Sequence, residues 1–209
     1  MNSDPPTVTV YSDYVCPFCY LGRESLSQYQ ARRDADLEIE WRPFDLRSRK
    51  RNRDGTIDHS VDDGKDDEYF EEARQNVRRL RERYGVEMAQ EIATEVDSLP
   101  AQVLSYYVRE HHDYATWLDF DEAVFEALWQ DGEDIGDADL LVELAVEAGV
   151  GAEAARSALA DDALRTEVRE RFAEAKRDGI TGVPTFVYGD DAARGAVPPE
   201  QLERLVDGV

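Results

Sequence analysis

The hydrophobic period changes twice within the first 44 residues, and that constrains the fold more than any other feature. "TVTVYS" alternates β-branched and aromatic side chains from Thr7 to Ser12, the pattern of a short buried strand. Pro17 follows, suited to a first helical turn because its missing N–H needs no partner there. From Phe18 through Leu21, Leu26 and Tyr29 the large residues fall at helical spacing, predicting a helix from the cysteine pair to about Asp34. "LEIEWRPF", Leu37 to Phe44, alternates again, so the chain opens strand, helix, strand. The far end returns to the same grammar. "GITGVPTFVYGDDAARGAVPPEQLERLVDGV" holds a Gly-rich turn, a strand from Thr185 to Tyr188 and a second around Ala192 to Gly195. A last helix opens at Pro198-Pro199 and buries Leu202, Leu205 and Val206. One sheet assembled from both ends is the economical arrangement.

Between the ends lies a polar segment without period, "DLRSRKRNRDGTIDHSVDDGKDD", read as a loop with Asp54-Gly55 as a turn. Helical patterns then run from about Asp66 to Asp178. They break near Gly85, Asp97-Ser98, His111 to Asp113, Gly132 to Gly136 and Gly149 to Gly151. Ser98 before Pro100, and Asp137 before "ADLLVELAVEA", read as helix starts. Leu164, Val168, Phe172 and Ala175 make one apolar stripe on the last of five or six successive helices. No fixed-period repeat is present. The organisation expected is residues 1–62 as strand, helix and strand, 63–150 as a helical insertion, and 151–209 as helix, strand, strand and helix.

Charge narrows the partners. The 47 acidic residues outnumber the 24 basic ones for a net charge of −23, and the lysines are Lys50, Lys65 and Lys176 alone. Such a field repels nucleic acids and anionic membranes, so neither is an expected partner. At molar salt the Debye length falls to about 3 Å and the self-repulsion is screened; many acids, few lysines and abundant Ala, Val and Arg resemble proteins of salt-in halophiles. "MNSDPPTVTVYSDY" carries no basic-then-apolar leader, and no stretch approaches a membrane span, so a cytoplasmic location is expected. Cytosolic thiols are kept reduced, and a CxxC there points to catalysis or metal rather than a structural bridge.

Both cysteines of the chain sit in "VCPFC". On a helix start Cys16 and Cys19 share one face and are close enough to bridge. Unpaired N–H groups at that end favour an anion at Cys16, and the thiolate is the form that attacks a disulfide. The expected arrangement exposes Cys16 as nucleophile and turns Cys19 inward to resolve. A structural zinc site would need four ligands, and His59, His111, His112 and the carboxylates supply no second ligand pair, so no metal is expected. A loop this short restrains little of an unfolded chain, which disfavours a structural staple.

"SDYVCPFCYLG" after a strand, with "GITGVPTF" ahead of a C-terminal strand, resembles the thioredoxin superfamily, in particular DsbA-like proteins of the FrnE branch. "EWRPFDL", "DSLPAQVLSYYV", "FEALWQDGEDIGD" and "GAVPPEQLERLV" extend the likeness over most of the chain. The resemblance implies an α/β thioredoxin fold carrying a large all-helical insertion. It implies a thiol-disulfide oxidoreductase, or disulfide isomerase, acting through Cys16, Cys19 and a mixed disulfide. It places a cis-proline at Pro184, with Pro17, Phe18, Val183 and Thr185 shaping the approach of substrate. Protein or small-molecule disulfides are the implied partners. No prosthetic group is implied beyond the redox-active pair, although a low-molecular-weight thiol is a candidate co-substrate. Two positions depart from the pattern: the acid found six residues before the first cysteine in thioredoxin and DsbA is Val10 here, and Pro17-Phe18 lacks the histidine of strongly oxidising relatives. Asp13 is the nearest acid, read as facing solvent or capping the helix.

The same fold supports glutathione-dependent isomerases resembling 2-hydroxychromene-2-carboxylate isomerase, the alternative enzyme class, and a non-catalytic holdase is the third reading. Arg47, Arg49, Lys50, Arg51 and Arg53 read as a solvated loop pairing with nearby acids, with capture of an anionic thiol as the alternative. Tyr106, Tyr107, Trp117, Phe120, Phe125 and Trp129 read mainly as core, with some lining a groove above Cys16.

Overall fold

The computed structural model of the chain describes residues 5–208. The outermost positions of the two end segments, 1–4 and 209, therefore lie outside the described residues. Four strands, β1 (Thr7–Ser12), β2 (Glu38–Pro43), β3 (Thr185–Tyr188) and β4 (Asp191–Arg194), form one sheet in the order β2-β1-β3-β4. β1 runs parallel to β2, with Val10 opposite Trp41, and antiparallel to β3, with Val10 opposite Phe186. The parallel pair requires a crossover, which α1 (Pro17–Gln30) supplies. Alternation is plain in both: Val8, Val10 and Ser12, like Ile39, Trp41 and Pro43, are buried while their neighbours are less so.

Among the element edges that differ from the sequence reading, two have a plain local cause. α1 stops at Gln30 because the next turns tighten: Arg32 and Arg33 N–H groups bond the carbonyls three residues back, Tyr29 and Gln30. β4 starts at Asp191, since Tyr188 pairs with Asp191 across a two-residue turn in which Gly189 adopts φ +59°.

Six helices fill the middle: α2 (Asp67–Tyr84), α3 (Leu99–His111), α4 (Tyr114–Trp129), α5 (Ala138–Glu147), α6 (Ala152–Leu159) and α7 (Asp162–Arg177). α7 returns to pack beside β2, and the last helix, α8 (Pro199–Asp207), packs on α1. Aspartates 66, 113, 137 and 161 cap α2, α4, α5 and α7 by accepting first-turn N–H groups. Ser98 breaks this pattern. It stands at the start of α3 as expected, but its hydroxyl does not cap; Asp97 accepts the Leu99 N–H, and Ser98 turns to Asp13.

The helices and the sheet share one core. Trp117, Phe120, Phe125 and Trp129 are buried and continuous with Val10 and Trp41, the Trp41 and Trp117 rings lying 6.5 Å apart. These aromatics are core, and Tyr106, also buried, bonds Glu167 of α7 at 2.7 Å.

Candidate active site

Cys16 is the N-cap residue of α1, extended at φ −94° and ψ 113°, with Pro17 buried in the first turn and Phe18 half-buried behind it. The Cys16 carbonyl accepts N–H groups of Cys19 at 2.9 Å and Tyr20 at 3.3 Å, which sets the two thiols on one side of the helix. Both are free thiols. Cys16 is not exposed as expected: only 3% of its surface is accessible, because its thiol lies under the Val183 carbonyl, 3.7 Å away. The Val183–Pro184 bond is cis. Cys19 is turned inward at 1% exposure, and its thiol is held well above its ordinary range, first by burial and then by hydrogen bonding to Cys16.

Gly22 lets the proline approach. A Cβ at this position would lie 3.0 Å from Pro184 Cγ and 3.2 Å from Phe186 Cζ. Thr185 is buried, and its hydroxyl donates to the Gly182 carbonyl at 2.8 Å, which folds the loop onto itself and leaves Val183 as the half-buried residue facing Cys16.

The turn before Cys16 is pinned by the helical insertion. The Tyr14 hydroxyl bonds Asp121 Oδ1 at 2.9 Å and Ser105 Oγ at 2.8 Å, and the Tyr14 carbonyl accepts Trp129 Nε1 at 2.9 Å. Asp121 in turn accepts Arg23 Nε and Nη2 at 3.1 and 2.9 Å, all within the interior. Burial, and after it the Asp121 charge, pushes the Tyr14 hydroxyl well above its usual range.

Asp13 neither faces solvent nor caps α1. It is 1% exposed, its carbonyl accepts the Cys16 N–H at 3.0 Å, and its carboxylate collects four donors: Val15 N, Ser98 Oγ, Gln102 Nε2 and Leu46 N. Burial, then the nearby Asp45 charge, raises its carboxyl to about 6 despite those bonds. An acid one position after β1 thus occupies the interior that Val10 leaves apolar. Sequence reasoning missed it because donors from the segment after β2 and from α3 converge only in three dimensions.

The basic run pairs with nearby acids as expected and leaves Arg49 and Arg53 exposed, but the Arg51 side chain is not solvated. Arg51 is buried and fully committed: Nε and Nη2 bond Asp45 at 2.8 and 3.1 Å, Nη1 and Nη2 bond Asp97 at 3.0 and 2.9 Å, and Nη1 bonds the Gly55 carbonyl at 2.8 Å. Arg47 donates to the Ala93 carbonyl and Lys50 sits 3.6 Å from Asp63. The Arg53 carbonyl accepts Arg169 of α7 at 2.7 Å. These bonds use the run to join the segment after β2 to the stretch before α3 and to α7. Tyr69, at the start of α2, is absent from the sequence reading. It is 46% exposed, and its hydroxyl is raised by burial and then by the Cys16 charge. Among the described residues no three His, Cys, Asp or Glu side chains are grouped to hold a metal, and no helix is long and apolar enough to cross a membrane.

With a cysteine pair capping the first helix, a cis-proline turn over it and helices inserted between two sheet halves, residues 7–207 match the profile of the DSBA-like thioredoxin domain. The chain belongs to that family. An uncharacterized Bacillus subtilis protein, YwbO, is 31% identical over 95% of this chain and 94% of its own. A solved structure described as a probable DsbA oxidoreductase from Streptomyces coelicolor superposes with a TM-score of 0.74 at 26% identity, over 97% of this chain and 88% of that one. A 2-hydroxychromene-2-carboxylate isomerase structure has a TM-score of 0.75 at 21% identity, over 94% and 92% of the two chains, and so shares the family fold.

Proposed function

We propose that the protein is a thiol-disulfide oxidoreductase that exchanges disulfides through Cys16 and Cys19. One observation carries the reading: two reduced, adjacent thiols at a helix start, with Cys16 Sγ 3.7 Å from the Val183 carbonyl beside Pro184. Cys16, as thiolate, attacks one sulfur of a substrate disulfide; an S–S bond forms to Cys16 and the other substrate sulfur leaves as a thiolate. Cys19 then loses its proton and attacks Cys16 Sγ, expelling the second substrate sulfur. The substrate gains two electrons and the Cys16–Cys19 pair loses two. Run backwards, the same steps oxidise a substrate dithiol. The half-buried Val183 and Phe18 flank the approach, and an extended substrate segment pairs with the backbone at Val183. Substrates are protein or small-molecule disulfides in the cytoplasm, with a small thiol as the candidate co-substrate, and no prosthetic group takes part.

The test is insulin-disulfide turnover at molar salt in defined thiol buffers, with Cys16→Ser and Cys19→Ser variants. Cys16→Ser should abolish turnover and Cys19→Ser should trap a mixed disulfide. Turnover that survives Cys16→Ser refutes the reading, and glutathione-dependent isomerase activity that survives both substitutions would replace it with the isomerase class.

A further inference from the structure

Three successive carbonyls of the loop over Cys16 have donors of different kinds. The Gly182 carbonyl accepts the Thr185 hydroxyl at 2.8 Å, and the Pro184 carbonyl accepts the Gly195 N–H at 2.8 Å. Between them, the Val183 carbonyl has one donor among the described residues, the Cys16 thiol at 3.7 Å. We propose that this carbonyl is a redox-gated docking acceptor: the Cys16 S–H occupies it in the reduced protein, and formation of the Cys16–Cys19 disulfide frees it for a backbone N–H of an extended, cysteine-bearing polypeptide. This inference rests on the disulfide-exchange reading and adds to it a substrate class and the step at which product is released.

The two outer donors are permanent, because neither the Thr185 hydroxyl nor the Gly195 amide changes during exchange. The middle donor is lost whenever its sulfur reacts: a thiolate, a mixed disulfide and the Cys16–Cys19 disulfide all lack the hydrogen. A thiol is also a weak donor, so a peptide N–H is the better partner for a carbonyl. A carbonyl can accept two donors, but a substrate cysteine joined to Cys16 brings its own backbone to the side of the oxygen where the thiol lies. Room for that chain exists on the outer side of the loop. Thr181 and Gly182 are exposed, and a Cβ on Gly182 would meet nothing within 4 Å. From beneath, the loop is held: Ile180 is buried with Phe44 and Ala175, and Val183 packs on the same cluster. Exchange at Val183 therefore replaces the donor while the loop stays in place.

The cycle runs as follows. Oxidised protein takes the polypeptide onto the Val183 carbonyl. One substrate thiolate attacks Cys16 Sγ, and Cys19 leaves with the electron pair of the broken S–S bond and takes up a proton. A second substrate thiolate attacks the sulfur now bonded to Cys16; the substrate disulfide forms and Cys16 leaves as a thiolate. The substrate has lost two electrons and the cysteine pair has gained two, while the two protons shed by the substrate thiols reach Cys19 and Cys16 through solvent. Once Cys16 carries its proton again, the S–H retakes the Val183 carbonyl at the expense of the substrate N–H, and the product is released. A small-molecule disulfide, reduced to two thiols in exchange, returns the pair to the oxidised form.

Fluorescence anisotropy at molar KCl tests this, with a labelled insulin B-chain peptide whose cysteines are replaced by serine, so that binding is read without covalent exchange. Oxidised wild type should bind about 3- to 10-fold more tightly than reduced wild type, the span set by one modest hydrogen bond. Two variants that cannot form the disulfide separate the donor from the redox state. Cys19→Ala keeps the Cys16 S–H and should bind as weakly as reduced wild type, whereas Cys16→Ala lacks it and should match the oxidised protein. N-methylation scanned along the peptide should find one position at which the difference between oxidised and reduced protein disappears. The wild-type comparison needs no substitution, so it decides the matter if a variant fails to fold. Equal affinity of oxidised and reduced wild type, Cys16→Ala binding no more tightly than Cys19→Ala, or no saturable binding in any form refutes the gate; disulfide exchange still stands if Cys16→Ser has lost insulin turnover. If Cys16→Ser keeps turnover, both fall.

Discussion

Replacing Arg51 by Met removes a guanidinium whose hydrogen bonds go to Asp45, Asp97 and Gly55, and it does so without opening a large cavity. The side chains of Arg51 and Asp45 are 4% and 3% exposed, so Asp45 is left as an uncompensated buried charge. Breaking one partner of such a pair costs about 3–5 kcal/mol. At roughly 2–4 °C per kcal/mol for a chain of this size, the melting temperature should fall by about 6–20 °C. A solvated arginine, the reading the sequence alone favours, would cost no more than about 0.5 kcal/mol. The two readings are thus separable by urea titration. Screening separates them again: an exposed pair weakens between about 0.2 and 2 M KCl, whereas a buried one is screened far less. Arg51→Lys keeps the charge but not the fork, and should recover only part of the loss. A loss under about 1 kcal/mol for Arg51→Met, or one that vanishes at high salt, refutes the claim that this residue ties the segment after β2 to the stretch before α3.

Three further perturbations test neighbouring parts of the argument. Gly22→Ala should gain about 1 kcal/mol of helix propensity, yet its Cβ would press on Pro184 and Phe186; a net fall in melting temperature with reduced turnover is expected, and a rise would show that the proline has room. Tyr14→Phe strips one bond from Asp121 and one from Ser105 and should cost about 1–3 kcal/mol by chemical denaturation, with no loss at all as the contrary result. Asp13 keeps its proton to about pH 6 when folded but only to the ordinary 3.8 when unfolded, so its stabilising contribution is complete below the unfolded value and is lost as pH rises through 6. Between pH 5 and 7.5, above the isoelectric point near 4.4, wild type should lose about 1–1.5 kcal/mol relative to Asp13→Asn; parallel stability profiles would show that Asp13 does not titrate there.

What could be read from the sequence follows from which interactions are local. β1 and β3 were legible to the residue because alternation and flanking turns are properties of a few consecutive side chains. The cysteine pair at a helix start is likewise a local fact, and so is the cap Asp137. Ser98 shows the limit. Its place at a helix start was legible, but its hydroxyl serves Asp13, 85 positions away, and no window around Ser98 contains that partner. Arg51 fails in the same way: a run of basic residues in an acidic chain reads as solvated charge until Asp45 and Asp97 are folded around one member of it. The exposure expected for Cys16 was wrong because Val183, which covers it, arrives from the other end of the chain.

These misses share a location, and that bears on why the insertion is where it is. The turn into the cysteine pair is a strand-to-helix junction, which by itself offers little to hold it. Here α3 and α4 do the holding: Ser98 and Gln102 grip Asp13, Ser105 and Asp121 grip Tyr14, and Trp129 takes the Tyr14 carbonyl. Asp121 reaches onward to Arg23, two turns into α1, so the helix that carries the cysteines is tied to the same clamp. Asp13 is not part of β1, where Val10 completes an apolar layer with Trp41 and Phe186. It stands at the turn, where the insertion can supply the donors that a buried carboxylate requires. Substitutions of Ser98 or Gln102 are therefore expected to shift the pH at which Asp13 titrates, whereas substitutions confined to α5 or α6 should alter stability without that shift.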